Sequence, residues 1–262
     1  MACFASAYRF AHLNSSKAYA KVWCEPHPLD IRTIYIIPIQ TNYSGIYSQS
    51  MSNTPRDQDR FNAEVNVHLD HLNSRPIGNQ LLDKLQQLSG KRRHKVTIHE
   101  IAPPENPGAE PVLSRHQLDA HPELSRFKDI REKAGRSYAL KKPGGEKNQG
   151  SSVVVSWSAR QTSLELDDDG DPTNRATSSP IEKVSVLGHE LVHARHMMAG
   201  TWKGSYEDDR DPDTPTGKEE LRAVGLGKYK YSQSGEPSEN SIRAEHGLPK
   251  RVSYHHSGYR SE

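Results

Sequence analysis

The sequence predicts an α+β domain with a small mixed sheet, and three observations support that prediction. Apolar residues recur at helical spacing after residue 56, in several separate segments. Two other segments, "HKVTIHEI" at 94–101 and "SSVVVSWS" at 151–158, have the apolar patterns of strands. With 33% hydrophobic residues, 18 glycines and 17 prolines, the chain can form one core of moderate size joined by long loops.

Residues 1–55 show no lasting periodicity, so we predict a flexible N-terminal segment there and a folded domain over 56–262. The run "IRTIYIIPI" at 31–39 could add an edge strand, because its proline cannot donate to a central ladder. Cys3 and Cys24 are the two cysteines, which makes a disulfide framework or a cysteine-based zinc site unexpected. We identify no Sec signal peptide, and no run approaches the ~18 apolar residues of a membrane span.

The helices predicted after residue 56 follow from the spacing of apolar residues and from the prolines and glycines that end each segment. Four apolar residues predict a first helix that ends near "NSRPIG" at 73–78: Phe61, Val65, Leu69 and Leu72. "NQLLDKLQQL" at 79–88 predicts a second helix, which Gly90 ends. The segment between the two strands, 102–150, is rich in proline, glycine and charge, and we expect one short helix there near 123–134.

A third and longer helix is predicted within "SSPIEKVSVLGHELVHARHMMAG" at 178–200. Ser179, Pro180 and Glu182 fit an N-cap, a proline at the first helical position and a capping-box glutamate. Gly200 supplies the C-terminal stop. The local chemistry therefore indicates a helix of about 20 residues.

Two histidines on this helix stand four residues apart. His189 and His193 would point within ~40° of each other, about 6 Å apart along the axis. Glu190 is rotated by ~100°, which suits contact with a water rather than ligation. This is the H-E-x-x-H pattern of two zinc ligands and one general base. The alternative is a half-exposed helix with two surface histidines, and a third ligand decides between the two interpretations.

Some candidates for the third ligand lie close to the motif. His196 is on the same helix, but its seven-residue separation from His189 spans ~10 Å, too far for one small ion to bind all three histidines. Asp208 and Asp209 lie in "YEDDRDPDTP", which we interpret as a loop, and both remain candidates.

A second helix offers another carboxylate. In "TPTGKEELRAVGLG" at 214–227, Thr216 and Glu219 form a second capping pattern, and glycines end the segment. If Glu219 serves the cap, Glu220 is left to face the metal. A carboxylate from a second helix is one way in which a two-histidine catalytic zinc site is completed.

These motifs together resemble a known group of enzymes. "HELVHARHMMAG", with Glu220 27 residues after His193, is similar to the catalytic core of the clostridial neurotoxin light chains. The resemblance is closer to the short type III effector proteases of the NleD and XopG kind, over residues 61–99 and 151–254. It implies a zincin-type fold, Glu220 as the third zinc ligand and Glu219 as a residue that supports the ligands.

The same resemblance implies a pair that stabilises the oxyanion of the attacked carbonyl. "RVSY" supplies Arg251 and Tyr254 in the expected order, although the 31 residues from Glu220 to Arg251 are fewer than in the toxins. Arg243 in "ENSIRAEHG" is the rival arginine. A donor aimed at the developing charge would contribute about 3–4 kcal/mol. Glu245 could orient a histidine or an arginine, or could be a surface charge.

The functional prediction is a zinc-dependent endopeptidase with one Zn²⁺ per chain, acting as a monomer on a host protein. The resemblance implies type III secretion into a host cell, where a signalling protein, for example a mitogen-activated protein kinase, would be cut. We expect residues 1–55 to carry the secretion signal and the rest of the chain to carry catalysis. We expect no membrane partner, because no run approaches the length of an apolar span. We expect no nucleic-acid partner, because the net charge of +2 is nearly balanced and the basic run "GKRRHK" is local. The alternative is a non-catalytic effector of the same fold that binds a host partner and holds a structural zinc; Glu190 argues against it, since a structural site needs no base.

Overall fold

The computed structural model describes residues 37–103, 105–161, 163–205 and 211–254. In these ranges the strands are β1 (Ile39–Gln40), β2 (Ile46–Gln49), β3 (Val96–Glu100), β4 (Gly108–Val112), β5 (Ser152–Trp157), β6 (Ser163–Leu166) and β7 (Pro172–Thr177). The α-helices are α1 (Pro55–Asn73), α2 (Pro76–Arg92), α3 (Arg115–Ala120), α4 (Lys128–Ala139), α5 (Pro180–Ala199), α6 (Pro215–Val224), α7 (Tyr231–Ser234) and α8 (Glu239–Glu245). The chain is therefore an α+β protein, as predicted.

Five strands form a mixed sheet in the order β1-β2-β3-β5-β4. The central strands β2, β3 and β5 are parallel, while β1 and β4 run antiparallel to their neighbours at the two edges. β6 and β7 form a separate antiparallel hairpin around the aspartate-rich turn. The small mixed sheet that the sequence predicted is confirmed.

The sheet begins before the predicted domain boundary at residue 56. β1 and β2 lie inside the range that we predicted as flexible, and β2 pairs with β3 along its whole length. The side chain of Ile46 is fully buried in the core. The sequence did not predict the strand "IYSQ", because it is four residues long and only one of its two buried residues is apolar. The predicted edge strand at 31–39 overlaps β1 at Ile39, and residues 31–36 lie outside the described residues.

The predicted helices at 61–72 and 79–88 are confirmed as α1 and α2, each beginning earlier, at a proline. Both contact α5, which also contacts β4 and β5. Apolar side chains from these helices and from the central strands form one buried core around α5: Phe61, Leu69, Leu81, Ile98, Val155, Leu187 and Leu191 are among them. None of the helices in the described ranges is long and apolar enough to span a membrane.

The segment 102–150 contains more structure than the single short helix that we predicted. It supplies edge strand β4, helix α3 and helix α4, of which α4 overlaps the predicted range 123–134. α4 contacts β4, and β4 contacts α5. The segment therefore positions the edge strand of the described sheet beside the helix that carries the two histidines.

Candidate metal and catalytic site

Helix α5 carries the H-E-x-x-H motif through the centre of the core. It begins at Pro180 and ends at Ala199, and the next residue, Gly200, has a φ of +67°, the left-handed conformation that favours glycine. The predicted capping box at Ser179 is wrong, because the Ser179 side chain makes no capping hydrogen bond. The Glu182 carboxylate instead accepts two hydrogen bonds from Arg243, at 2.7 and 2.8 Å, and does not reach back to the cap.

Three of the predicted metal-ligating side chains converge. The Nε2 atoms of His189 and His193 are 3.0 Å apart. One carboxylate oxygen of Glu220, on α6, lies 3.2 Å from the His193 Nε2 and 3.3 Å from the His189 Nε2. Asp208 and Asp209, the loop alternatives, lie outside the described residues.

The arrangement of these three atoms fits a zinc ion. Ligand atoms in a tetrahedral site with zinc–ligand distances of about 2.0–2.1 Å are separated by about 3.3–3.4 Å. The separations of 3.0, 3.2 and 3.3 Å are close to that value. Two imidazole nitrogens and one carboxylate are also a ligand set of catalytic zinc, in which the fourth position stays open.

Carboxylates behind the triad orient its members. Glu239, at the start of α8, accepts a hydrogen bond from His189 Nδ1 at 2.9 Å, which leaves Nε2 to face the triad. A Cβ at Gly188 would lie 2.8 Å from the Cδ1 atom of Ile242 on α8, so the glycine lets α5 and α8 approach closely without moving that side chain. Sequence analysis missed Glu239. A metal-ligating histidine usually donates its second ring N–H to a carboxylate, so a carboxylate partner for His189 could be expected. The sequence does not show which of the many glutamates is that partner.

Glu219 lies behind the second histidine and not at a helix cap. Its carboxylate lies 2.5 Å from His196 Nδ1 and 3.6 Å from His193 Nδ1, and accepts the backbone N–H of Lys203. The predicted capping role of Glu219 is therefore wrong. Thr214 caps α6, since its hydroxyl accepts the N–H of Gly217 at 2.9 Å.

Glu190 lies beside the triad and lines two adjoining cavities. One is a cavity of about 500 Å³ on the side of Trp157 and Lys183, and the other has about 260 Å³ on the side of Trp202 and Glu220. Both are also lined by His189, Tyr254 and the Pro107 that precedes β4. A group bound against the triad in this cleft would therefore be within reach of Glu190.

The predicted oxyanion pair also borders this cleft. Arg251 donates to the Glu239 carboxylate at 3.2 Å and to the backbone carbonyl of Tyr254, so the R-x-x-Y spacing closes a turn. The Tyr254 ring stacks on His189 with ring centres 6.1 Å apart. Asn240 bonds both the N–H and the carbonyl of Arg251, each at 2.7 Å, which fixes this segment against α8.

The rival arginine lies elsewhere. The Arg243 side chain is buried and holds α8 to α5 through the bidentate contact with Glu182. Glu245 takes neither of its predicted roles: its carboxylate accepts the N–H groups of Ile77 and Gly78 at 2.8 and 2.9 Å. It therefore caps α2, whose own N-cap residue, Arg75, makes no side-chain cap bond.

Burial and the charges of neighbouring side chains shift the pKa values of His189 and Glu190 in opposite directions. Burial lowers the pKa of His189, but hydrogen bonds to Glu220 and Glu239 outweigh it and raise that pKa to about 9. Burial raises the pKa of the Glu190 carboxyl, against the lowering effect of both histidines. A buried carboxylate with a raised pKa is suited to accept a proton near neutral pH.

Comparison with known proteins gives one family assignment. No curated protein sequence matches the chain. The botulinum neurotoxin type G light chain structure is similar with a TM-score of 0.40 and 12% identity, covering 77% of this chain and 55% of that one. The catalytic domain of Clostridium botulinum neurotoxin serotype F has a TM-score of 0.40 and 14% identity, covering 79% and 52%. The chain thus spans about half the length of either structure. The family model Peptidase_M91, described as "Effector protein", matches residues 49–254, and the chain belongs to that peptidase family of effector proteins.

Proposed function

We propose that the protein is a zinc-dependent endopeptidase. The observation that carries the proposal is the convergence of His189, His193 and Glu220 in a cleft that Glu190 also lines. The three side chains would hold one zinc ion, and Glu190 would be the general base. When bound, zinc would polarise the substrate carbonyl and acidify the attacking water. Membership of a peptidase family supports this reading.

The chain's own residues would perform the remaining tasks. Glu190 would accept a proton from the attacking water and deliver it to the leaving amine. Arg251 and Tyr254, which border the same cleft, would stabilise the negative charge that develops on the carbonyl oxygen. Glu239 would hold the imidazole of His189 and the guanidinium of Arg251 in place, since it contacts both.

A strand edge lies where a peptide substrate would bind. β4 is the edge strand of the described sheet on this side, and it pairs only with β5 there. Its first residue, Gly108, and the preceding Pro107 line the cleft. An extended peptide could pair along β4 and so present its backbone to the triad.

We also propose that the substrate is a host protein. The family's description as effector proteins supports delivery into a host, and the resemblance to the NleD and XopG proteases supports the type III route. By the same resemblance a signalling protein, for example a mitogen-activated protein kinase, is the first candidate substrate.

The test is metal analysis of the purified wild-type chain and of Glu190→Ala, followed by cleavage of a proteome-derived peptide library. We expect about one zinc per chain in both proteins, because Glu190 is not a ligand. Cleavage should fall by about 100-fold to 10,000-fold in the variant, the range for loss of a general base.

Full activity of Glu190→Ala would contradict the proposed mechanism. A wild-type chain that holds zinc and cleaves no peptide would favour the non-catalytic alternative, in which the zinc has a structural role. Glu132→Ala, an exposed glutamate on helix α4, serves as the matched control and should leave both readouts unchanged.

A further inference from the structure

The larger of the two cavities beside Glu190 has a wall that the proposed mechanism does not use. This cavity of about 500 Å³ extends from the triad past Trp157, Ser158, Gln161, Ser163 and Lys183. A cavity of this size, next to the reacting groups, accommodates a substrate side chain. The chemistry of its wall therefore bears on which residue the substrate presents there.

Lys183 gives this wall a positive charge. It lies in the first turns of α5, six residues before His189, and its side chain is half-buried. Among the described residues Lys183 forms no ion pair. The carboxylates that line the cavity are Glu190 and Glu239, and Glu239 already contacts His189 and Arg251. Within the part of the chain that the structure describes, the cavity thus offers a cation without a counterion.

Polar atoms on other residues that line this cavity also lack partners among the described residues. The Ser163 hydroxyl is buried without a hydrogen bond among the described residues, and so is the Gln161 side-chain oxygen. The Ser158 hydroxyl accepts the N–H of Arg160 at 3.2 Å, which leaves its own hydrogen free to be donated. The Ser163 hydroxyl and the Gln161 oxygen have almost no accessible surface, so a ligand in the cavity reaches them only after a change of side-chain rotamer, which would relieve the cost of leaving them unpaired. An ammonium and hydroxyl donors in one cavity wall suit a carboxylate.

We propose that this cavity is a substrate pocket for an acidic side chain, aspartate or glutamate, close to the scissile bond, with Lys183 as its counterion. The inference rests on the proposed endopeptidase function and adds the charge of the substrate that it acts on. A basic side chain at the same position meets the Lys183 ammonium and is disfavoured, so the pocket selects by attraction and by repulsion.

The test compares cleavage specificity in a proteome-derived peptide library, read by mass spectrometry, for four zinc-loaded full-length chains. They are the wild type, Lys183→Met, Lys183→Glu and Lys84→Glu. Lys183→Met keeps an unbranched apolar side chain and removes the charge. Lys84→Glu makes the same charge reversal on the exposed face of α2, away from the cleft.

We expect the wild type to prefer aspartate or glutamate over alanine about tenfold at one position, which corresponds to one ion pair of about 1.4 kcal/mol. The preference should vanish in Lys183→Met, turn towards lysine and arginine in Lys183→Glu, and persist in Lys84→Glu. Cleavage by the wild type without acidic preference, or an unchanged preference in Lys183→Met, overturns the inference and leaves the proposed function standing. A library that the zinc-loaded wild type does not cut overturns both.

Discussion

Two adjacent glutamates on α6 face different partners, which gives them different expected roles. Glu220 contacts the Nε2 atoms of both motif histidines, whereas Glu219 contacts His196 and the backbone of Lys203. We expect Glu220→Ala to lower zinc affinity by more than about 100-fold and Glu219→Ala by about 10–100-fold, the range for residues that support a ligand. Competition with a chromogenic chelator measures both affinities.

The Glu219→Ala and Glu220→Ala variants are matched controls for each other, because each removes the same carboxylate side chain from adjacent positions of α6. Reversed effects would mean that Glu219 and not Glu220 completes the triad. If neither variant lost zinc, the aspartates at 208 and 209 would become the better candidates.

Arg251 and Arg243, the two candidates for the oxyanion-stabilising arginine, contact different carboxylates. Arg251→Met should lower kcat by about 100-fold to 1,000-fold, the cost of removing one oxyanion donor. Its urea midpoint should fall less than that of Arg243→Met, because Glu239 keeps its hydrogen bond from His189. Arg243→Met should instead lower the free energy of unfolding by about 3–5 kcal/mol, because it leaves the Glu182 carboxylate buried without its partner. Parallel kinetics and urea unfolding separate the two effects; an Arg243→Met enzyme with normal stability and lost activity would reverse the assignment.

The site was predictable from sequence where local spacing determines geometry. His189, Glu190 and His193 share one helix, so the rotation per residue fixes their relation. Glu220 came from a capping argument and a resemblance, and Arg251 and Tyr254 came from the resemblance alone, because the packing of two later segments places these three residues at the site. Glu239 was missed for the same reason: its contact with His189 spans 50 residues and depends on the close approach of two helices at Gly188.

At the scale of the element, the two helices that carry the triad begin in different ways. The Thr214 side chain caps α6, whereas the Ser179 side chain caps nothing in α5. Thr214→Ala should therefore cost about 1 kcal/mol of stability, the usual loss for an N-cap. Ser179→Ala should change stability by less than about 0.5 kcal/mol.

Thermal unfolding of the two variants, matched in chemistry, measures this difference. Because α6 carries Glu220, Thr214→Ala should also weaken zinc binding slightly, whereas Ser179→Ala should not. Equal destabilisation by the two substitutions would contradict the assignment of the caps.

The strongly periodic elements were predictable and the short polar strands were not. α1, α2 and β5 have a clear apolar pattern, and each was found near its predicted place. β2 has two buried residues, one of them a serine, and β4 contains both a glycine and a proline. Such strands form because a neighbouring strand offers unpaired N–H and C=O groups, which a local pattern does not record.

At the scale of the whole molecule, the domain boundary is open to test by truncation. A chain that begins at Arg56 loses β1 and β2, and with them the buried Ile46 and the Ser50 hydroxyl that bonds buried Glu100 at 2.6 Å. It would also expose the edge of β3. We expect this chain to aggregate, and a chain that begins at Leu29 to stay soluble and bind zinc; light scattering and metal analysis measure both.

A soluble, zinc-binding chain from Arg56 would show that β1 and β2 are dispensable. We further propose that the segment before β1 carries the secretion signal, a narrower range than the 1–55 of the sequence prediction. The chain from Leu29 should then cleave its substrate in vitro and yet fail to leave the bacterium, which immunoblotting of culture supernatants measures.

The order of the site residues along the chain has a consequence for synthesis. Ribosomes release the motif histidines of α5 first, then Glu220, then Glu239, and last Arg251 and Tyr254. A nascent chain that has exposed only α5 carries the two histidines without the carboxylates that fix their orientation. The cleft is complete only when some sixty further residues have emerged and packed against α5, because domains fold as units. If the proposed function is correct, the cell that makes the protein meets a complete proteolytic site only in chains that have folded as far as Tyr254. A chain that is unfolded for export would have no such site.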